Sequence, residues 1–320
     1  MSSPIRHLLS TSKTFLFRKP SQELGRLHRW GAHAYLRSSA WAHQMEAAAS
    51  RLPVPVEASA GKPHLEVWFL TGRRFWYQTA FCAWTLSRHS GRELIVHLAD
   101  DGSLTQEVEH ELRYLFPNGT THWRDECKQL FSELLPPSRY PTLHLRWHDY
   151  INLHKLTAPH LGQSGIKLVL DSDMLFFRSP DALLAWWDKP DQPCLMLDCE
   201  ESYGYTRPLL ENLAGVSLLP SLNVGICGLD SSSIDWDQLE YWCRSLVEGE
   251  GTSYYLEQAL AAMLASRCQP IVLPRADYIT FPTHQQVAQG SGVLQHYVSD
   301  SKPWYFRTAW RLASKGIIPC

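Results

Sequence analysis

The 320-residue sequence has no strong excess of charge of either sign, no C-x-x-C cysteine pair and no internal repeat. Because its formal net charge is −2, it lacks the overall cationic field that non-specific nucleic-acid binding requires. Its eight cysteines have no clustered spacing, which argues against a zinc site or a redox motif and indicates reduced thiols. With 44% hydrophobic and 19% charged residues, the composition is that of a globular protein rather than a disordered or fibrous one.

Long apolar segments are also missing. The longest uncharged stretch, residues 213–229, contains Pro220 and three glycines, which a membrane-spanning helix would accommodate poorly. Near the N-terminus, Lys13 interrupts the only apolar patch too early for a secretion signal. We therefore expect a cytoplasmic location without a spanning segment.

Basic residues are concentrated at the N-terminus, where residues 1–51 carry a formal charge of +6 and leave −8 for the remainder. Between Gln22 and Ala49 the apolar residues recur at helical spacing without an internal proline, so we expect a basic helical extension over residues 1–51. The extension is followed by a linker, residues 52–64, because each residue before a proline is disfavoured in a helix.

A basic amphipathic helix can lie on an anionic membrane surface as a peripheral contact. Alternatively, it can pack on the body of the protein or on a second copy of the chain as a homodimer. The extension has few large apolar residues for its length, which favours packing. They are Leu24, Leu27, Trp30 and Trp41.

After the linker, strand and helix patterns alternate through residues 65–320, which predicts one layered α/β domain. We expect strands at residues 65–70, 93–98, 167–170, 194–197, 223–227 and 271–273. We expect helices at residues 75–87, 105–116, 124–135, 152–161, 179–187, 234–247 and 254–265.

Two carboxylates, Asp171 and Asp173, follow the short apolar strand 167–170 directly. Ligands of open α/β sheets bind at the carboxyl ends of the strands, so this pair lies where chemistry is expected. Two carboxylates so close together repel each other unless a cation neutralises them. Oxygen ligands of this kind suit Mn²⁺ or Mg²⁺.

A second group lies 123 residues further along, where His296 is followed six residues later by Lys302 and then by Pro303. A neutral imidazole can complete a metal site made of carboxylates, and an ammonium can bind phosphate. Because Pro303 disfavours a helical conformation at the preceding residue, we expect Lys302 to be extended. Taken alone, His296 is more often a core or surface histidine and Lys302 a solvated lysine.

Taken in order, these segments resemble the nucleotide-sugar glycosyltransferases of the GT-A fold, and most closely family 8, which includes glycogenin and bacterial galactosyltransferases. The resemblance covers about residues 65–310. The segments that carry it are Asp171-Ser172-Asp173, Asn223-Val224-Gly225, Glu257-Gln258 and the stretch from His296 to Trp304. It implies a GT-A, Rossmann-like mixed sheet flanked by helices, with the basic helix as an N-terminal extension.

The resemblance also implies a function and its residues. It implies transfer of a hexose, with retention of configuration, from a nucleoside-diphosphate sugar, typically a UDP-sugar. Mn²⁺ or Mg²⁺ would be bound by Asp171, Asp173 and His296. The implied catalytic residues are Glu257, Gln258 and Lys302, and the implied donor-binding residues are Thr71, Gly72, Lys155, Ser172, Asn223, Gly225 and again Lys302. Two positions depart from the family: Ser299 replaces the usual glycine, and no acidic residue follows the first strand.

Two other functions share part of this pattern. A haloacid-dehalogenase-type phosphohydrolase also ends an apolar strand in Asp-x-Asp, but normally near the start of the domain. A catalytically silent GT-A-like fold that serves as a binding module would keep the same residues. The acceptor, whether glycan, lipid or protein, has no diagnostic pattern in the sequence.

Overall fold

The structure is a computed structural model and describes residues 32–55 and 61–317. Within these residues the strands are β1 (Leu65–Thr71), β2 (Leu94–Asp100), β3 (Thr120–His122), β4 (Ile166–Leu170), β5 (Met174–Phe176), β6 (Cys194–Leu197), β7 (Leu222–Asp230), β8 (Ile271–Val272), β9 (Tyr278–Thr280) and β10 (Leu294–His296). The α-helices are α1 (Ala32–Ala49), α2 (Trp76–Ser90), α3 (Gln106–Leu115), α4 (Arg124–Leu134), α5 (Pro141–Asp149), α6 (His154–Thr157), α7 (Asp181–Asp188), α8 (Arg207–Ala214), α9 (Trp236–Glu250), α10 (Leu256–Ser266), α11 (His284–Gln289), α12 (Lys302–Trp304) and α13 (Trp310–Ala313).

Seven strands form one mixed sheet in the order β3-β2-β1-β4-β7-β6-β8, and β5, β10 and β9 form a second, smaller sheet. In the large sheet β7 runs antiparallel to both of its neighbours, β4 and β6, whereas the other pairs are parallel. The carboxyl ends of β1, β2, β4 and β6 therefore lie at one edge of the sheet, together with the start of β7. This confirms the expected α/β fold with a mixed sheet and flanking helices.

The carboxyl half of the central strand β4 is buried on both faces, because its successive apolar side chains point to opposite sides of the sheet and both sides are covered. Leu168 and Leu170 of β4 belong to one hydrophobic cluster, and Val169 belongs to the other. All three are at most 3% exposed. The short apolar run before Asp171 is thus the buried central strand that the sequence predicts.

Some elements differ from the sequence prediction. The expected helix at residues 152–161 is a 3₁₀ turn, Ile151–Leu153, followed by the four-residue helix α6. A separate helix, α5, precedes it and starts at Pro141, a position where proline is pre-organised for the first helical turn. The three-residue strands β5, β9 and β10 were not predicted, because three residues are too few to reveal an alternating pattern.

The described part of the N-terminal helix packs on the body of the protein. Trp41 is 6% exposed and Met45 is fully buried. The indole nitrogen of Trp76 donates to Glu46 Oε1 at 3.1 Å, which joins α1 to α2. Residues 22–31 of the expected helix, with Leu24, Leu27 and Trp30, lie outside the described residues. No helix among the described residues has the length and apolarity needed to cross a membrane.

Buried histidines make the stability of this fold sensitive to acid. Burial lowers the pKa of His97 and His154 to about 4 and that of His160 to about 3. Each histidine is neutral in the folded chain but becomes protonated in the unfolded chain below about pH 6.5. Below that pH the unfolded chain binds more protons, so the free energy of unfolding falls as the pH falls. Burial likewise lowers the pKa of His89 and His122. Two groups act in the opposite direction: burial raises the pKa of Glu257 to about 7, and at His296 the charge of Asp173 outweighs burial and raises the pKa.

We therefore expect the free energy of unfolding to decrease between pH 6.5 and pH 4.5, with each histidine contributing up to about 1.4 kcal/mol per pH unit. Urea unfolding at several pH values measures this slope. His160→Gln should make the slope shallower by about the contribution of one histidine, whatever its effect on stability at pH 7. An unchanged slope would contradict the assignment of His160 as a neutral buried group.

Candidate active site

The loop with the two carboxylates lies directly after β4 and is tied to the strands on both sides of it. The Asp171 amide donates to the Gly225 carbonyl oxygen of β7 at 2.9 Å. The Asp173 carbonyl oxygen accepts from the Tyr297 amide, directly after β10, at 2.9 Å. Both side chains are partly exposed, at 25% and 22% respectively. The backbone of the Asp-x-Asp loop is therefore held in place while its carboxylates remain partly exposed.

The antiparallel pairing of β10 with β5 brings His296 to this loop across 123 residues of sequence. Its Nε2 lies 3.2 Å from Asp173 Oδ1 and 3.5 Å from Asp171 Oδ2, and its side chain is 2% exposed. One ligand atom from each of the three residues lies within 4.8 Å of the others. In the described part of the chain, this is the group that could hold a metal ion.

Two observations fit a metal ion at this group. Both ring nitrogens of His296 are buried and make no hydrogen bond of good geometry among the described residues, and Nε2 faces oxygens of both carboxylates, as a metal ligand would. In addition, His296 packs directly on the backbone of Gly225. A Cβ at Gly225 would lie 2.6 Å from His296 Nδ1, so only glycine leaves room for the ring. Two carboxylates and an imidazole are suitable ligands for Mn²⁺.

Gly225→Ala is therefore expected to displace the imidazole, because the added methyl group would overlap the ring. We expect Mn²⁺ affinity to fall by at least about 10-fold, because changing the residues that orient a metal ligand typically lowers metal affinity by this much or more. Mn²⁺ binding can be measured by electron paramagnetic resonance. Gly249→Ala is a matched control, since its new Cβ would lie 3.5 Å from Leu209 Cδ2, in ordinary contact. Equal Mn²⁺ affinity of the two variants would contradict the role of Gly225.

Lys302 reaches the same carboxylates, and its Nζ donates to Asp173 Oδ2. Burial opposes ionisation of Asp173, but the charges of Lys302 and His296 outweigh it and lower the pKa of this carboxyl. The expectation of an extended Lys302 is wrong. Its φ and ψ are −53° and −41°, so it begins helix α12 after the 3₁₀ turn Ser299–Ser301. Pro303 fits the first turn of that helix, because its missing N–H would have no partner there.

Ser299, which replaces the usual glycine of the family, has a φ of +46°. This is the left-handed region that glycine adopts most easily. The backbone turn is therefore formed with serine in place of glycine.

A buried ion-pair cluster lies behind the carboxylate loop. Lys155 Nζ is 2.9 Å from Asp171 Oδ1 and 3.2 Å from Glu257 Oε2, and the side chains of Lys155 and Glu257 are 8% and 4% exposed. Burial raises the pKa of Glu257 to about 7; the Lys155 ammonium opposes this shift, and the negative charge of Asp171 adds to it. For Lys155, burial opposes the charged form, but Asp171 and Glu257 outweigh it and raise its pKa. The cluster fixes the position of Asp171 from below.

Asn223 and Gln258 meet at a carboxylate that the sequence reasoning missed. Asp198 Oδ2 accepts from Asn223 Nδ2 at 2.9 Å and lies 3.5 Å from Gln258 Nε2. Asp198 follows the apolar strand β6 directly, as Asp171 follows β4. The same signal, a carboxylate at the end of a buried strand, could have identified it.

The remaining predicted residues lie near the ends of β1 and β4. Thr71 is fully buried, and its hydroxyl is linked to that of Ser172 through Thr79, with O–O distances of 2.8 and 2.7 Å. Gly72 lies against Asp101, where a Cβ would overlap Oδ1 of that side chain. Thr71 thus supports the loop from the core.

Five of the predicted site residues, Lys155, Asp171, Ser172, Asp173 and Lys302, line one cleft, whereas the other seven are buried and do not line it. It is lined by Leu70, Phe75, Gln78, Asp101, Ile151, Asn152, Lys155, Asp171, Ser172, Asp173, Tyr254 and Lys302. The charged groups lie around the carboxylate loop, and Phe75 and Tyr254 are 37% and 73% exposed. The cleft therefore combines carboxylates and ammonium groups with aromatic rings.

Solved structures of glycosyltransferases resemble this chain. Mouse xyloside xylosyltransferase 1 in its apo form matches with a TM-score of 0.50 and 13% identity, over 73% of this chain and 97% of that chain. The galactosyltransferase LgtC in complex with donor and acceptor sugar analogues matches with a TM-score of 0.51 and 13% identity, over 80% and 98% of the two chains. The bifunctional glycosyltransferase WbbM in its apo form matches with a TM-score of 0.53 and 10% identity. The match covers 82% of this chain and 51% of the WbbM chain. No protein-family model and no curated protein matches the sequence. The chain has the GT-A glycosyltransferase fold.

Proposed function

We propose that the protein is a metal-dependent glycosyltransferase of the hexosyltransferase type that uses a nucleoside-diphosphate sugar, typically a UDP-sugar, as donor. The observation that carries this proposal is the meeting of Asp171, Asp173, His296 and Lys302 at the carboxyl edge of the sheet, where the two carboxylates and the Lys302 ammonium line one cleft. The GT-A fold supports it, because this is the edge at which open α/β sheets bind their ligands.

Asp171, Asp173 and His296 would hold Mn²⁺ or Mg²⁺, which supplies positive charge for a leaving diphosphate. Lys302 would add a second positive charge, because its ammonium faces the same cleft. Negative charge develops on the diphosphate as the glycosidic bond breaks, so a fixed cation stabilises the transition state more than the ground state. Asp173 holds this ammonium in position before the donor binds.

The donor would extend along the cleft in both directions from the carboxylates. We propose that Ser172 and Lys155 contribute near the diphosphate, and that Gly72, with Thr71 behind it, shapes the nucleoside end. Asn223, Gly225, Glu257 and Gln258 would form the sugar end, with retention of configuration as in the family that the sequence resembles. The acceptor, a glycan, lipid or protein, would approach from the open side of the cleft.

The test is to incubate the purified protein and Mn²⁺ with a panel of nucleotide sugars that includes UDP-galactose, UDP-glucose and UDP-xylose. We expect release of the nucleoside diphosphate from at least one donor, by transfer or slow hydrolysis. Phosphate release from generic monoesters, without nucleoside diphosphate release, would instead indicate a phosphohydrolase. Donor binding without any turnover would indicate a silent binding module.

Lys302→Ala should lower kcat by about 100-fold, because removing one group that stabilises charge in the transition state typically costs this much. The effect on the acceptor KM should be smaller. Lys302→Arg keeps the charge and is the matched variant, so it should retain more activity. Steady-state kinetics with the best donor of the panel measures both. An unchanged kcat in Lys302→Ala would indicate that this side chain does not act on the diphosphate.

A further inference from the structure

Asp198 lies at the same edge of the sheet as the metal-ligand candidates. β6 runs in the same direction as β4, because each is antiparallel to β7 between them. Asp198 is therefore placed next to the start of β7, and its backbone amide donates to the Ser221 carbonyl oxygen at 2.7 Å. The residue is 8% exposed.

The two oxygens of this carboxylate accept from different parts of the site. Oδ1 accepts from the amide of Cys199 at 2.8 Å. Oδ2 accepts from Asn223 Nδ2 at 2.9 Å and lies 3.5 Å from Gln258 Nε2. A carboxylate accepts with both oxygens and donates with neither, so it suits a position surrounded by N–H groups.

These contacts restrict the side-chain amide of Gln258 to one orientation. Its Nε2 also donates to the Ser202 carbonyl oxygen at 2.9 Å, so its nitrogen faces two acceptors. Rotating the amide by 180° would place the carbonyl oxygen against the oxygens of Asp198 and Ser202, which cannot donate. The carbonyl oxygen Oε1 has no hydrogen-bond partner among the described residues and is the open group of this side chain.

Asp198 also supports the histidine side of the site through Asn223. The Asn223 side chain donates to Asp198 and accepts from the Gly225 amide at 2.8 Å, so both of its ends are used. Gly225 is the residue on which the His296 ring packs. One buried carboxylate therefore connects Gln258 with the backbone beneath His296.

We infer that Asp198 is a positioning residue for sugar transfer, which orients the amide of Gln258 so that its carbonyl oxygen faces the donor sugar. This inference rests on the proposed function, because it assigns Gln258 to the sugar end of the site. Asp198 acts through Gln258 and Asn223 and does not itself contact the substrate.

The test is a double-mutant cycle with Asp198→Asn and Gln258→Ala, measured as kcat and KM for the best donor of the panel. Asparagine has the same size but carries one N–H₂ group, so it cannot accept from all the donors around it. We expect Asp198→Asn to lower kcat by about 100-fold with a much smaller change in donor KM, since a misplaced group costs this much. In the Gln258→Ala background the same change should lower kcat by clearly less than about 100-fold, because coupled residues are not additive and only the contact through Asn223 would remain. Asp191→Asn, an exposed aspartate after α7, is the matched control.

Equal effects of Asp198→Asn in both backgrounds would overturn the inference, because Asp198 would then not act through Gln258. A second measurement uses the wild-type protein and does not depend on the folding of a variant. In protein labelled with ¹⁵N-glutamine, the side-chain amide signal of Gln258 can be assigned by its loss in Gln258→Ala. We expect this amide to show slow hydrogen exchange. Fast exchange would also overturn the inference. If no nucleotide sugar is turned over, the proposed function fails, while the exchange measurement still tests the role of Asp198.

Discussion

Asp173→Asn is expected to abolish metal-dependent nucleotide binding and to lower turnover by at least about 100-fold, because metal charge stabilisation is worth several kcal/mol. The substitution keeps the size of the side chain but removes the charge that faces His296 and Lys302. The fold should survive, since the side chain is partly exposed and the hydrogen bond from Tyr297 uses the backbone of Asp173. Calorimetry with UDP, with and without Mn²⁺, measures the binding.

Asp171→Asn should have a similar effect on binding, and Asp191→Asn, outside the cleft, should have none. The chelated wild-type protein provides a further comparison. If it binds UDP and turns over donor as well as the Mn²⁺-loaded protein, then Asp171, Asp173 and His296 are not a functional metal site.

The second large effect is expected on stability. Lys155→Met should lower the free energy of unfolding by about 3–5 kcal/mol, because it leaves the buried carboxylate of Glu257 without its cation. The loss should increase with pH. The pKa of Glu257 in the folded protein is already raised to about 7 and would rise further without Lys155, whereas in the unfolded chain it is near 4.5. Wild-type Glu257 keeps its proton up to about pH 7, whereas in the variant the folded state keeps it to a higher pH, so the loss of stability should increase mainly above pH 7.

The double variant Lys155→Met with Glu257→Gln removes the unpaired charge and should recover most of the lost stability. Urea unfolding of the single and double variants at pH 5.5 and pH 8 distinguishes this explanation from a simple loss of packing. A loss for Lys155→Met that is equal at both pH values and remains in the double variant would mean that packing, not charge, causes it.

The sequence analysis predicted the central elements of the fold because their signals are local. The apolar run before Asp171 has the length and composition of a strand buried on both faces, and β4 has that environment. The amphipathic and capped segments at α3, α4 and α9 were predicted within a few residues of their ends. Several elements of three or four residues, such as β10 and α6, were not predicted correctly, and the longer helices α5 and α8 were missed. The expectation for Lys302 failed because a rule for the residue before a proline competed with the turn that precedes it.

The sequence by itself determined the α/β class, the buried strand with Asp171 and Asp173 at its end, and the candidate residues that the family resemblance names. Only the tertiary structure decided which of them meet. His296 reaches the carboxylates because β10 pairs with β5 and because Gly225 leaves room for its ring. Lys155 is buried between two carboxylates, and Asp198 connects Asn223 with Gln258. The physical reason is that periodicity and capping depend on near neighbours in the chain, whereas these contacts join residues 16 to 125 positions apart and form only when the sheet and helices pack.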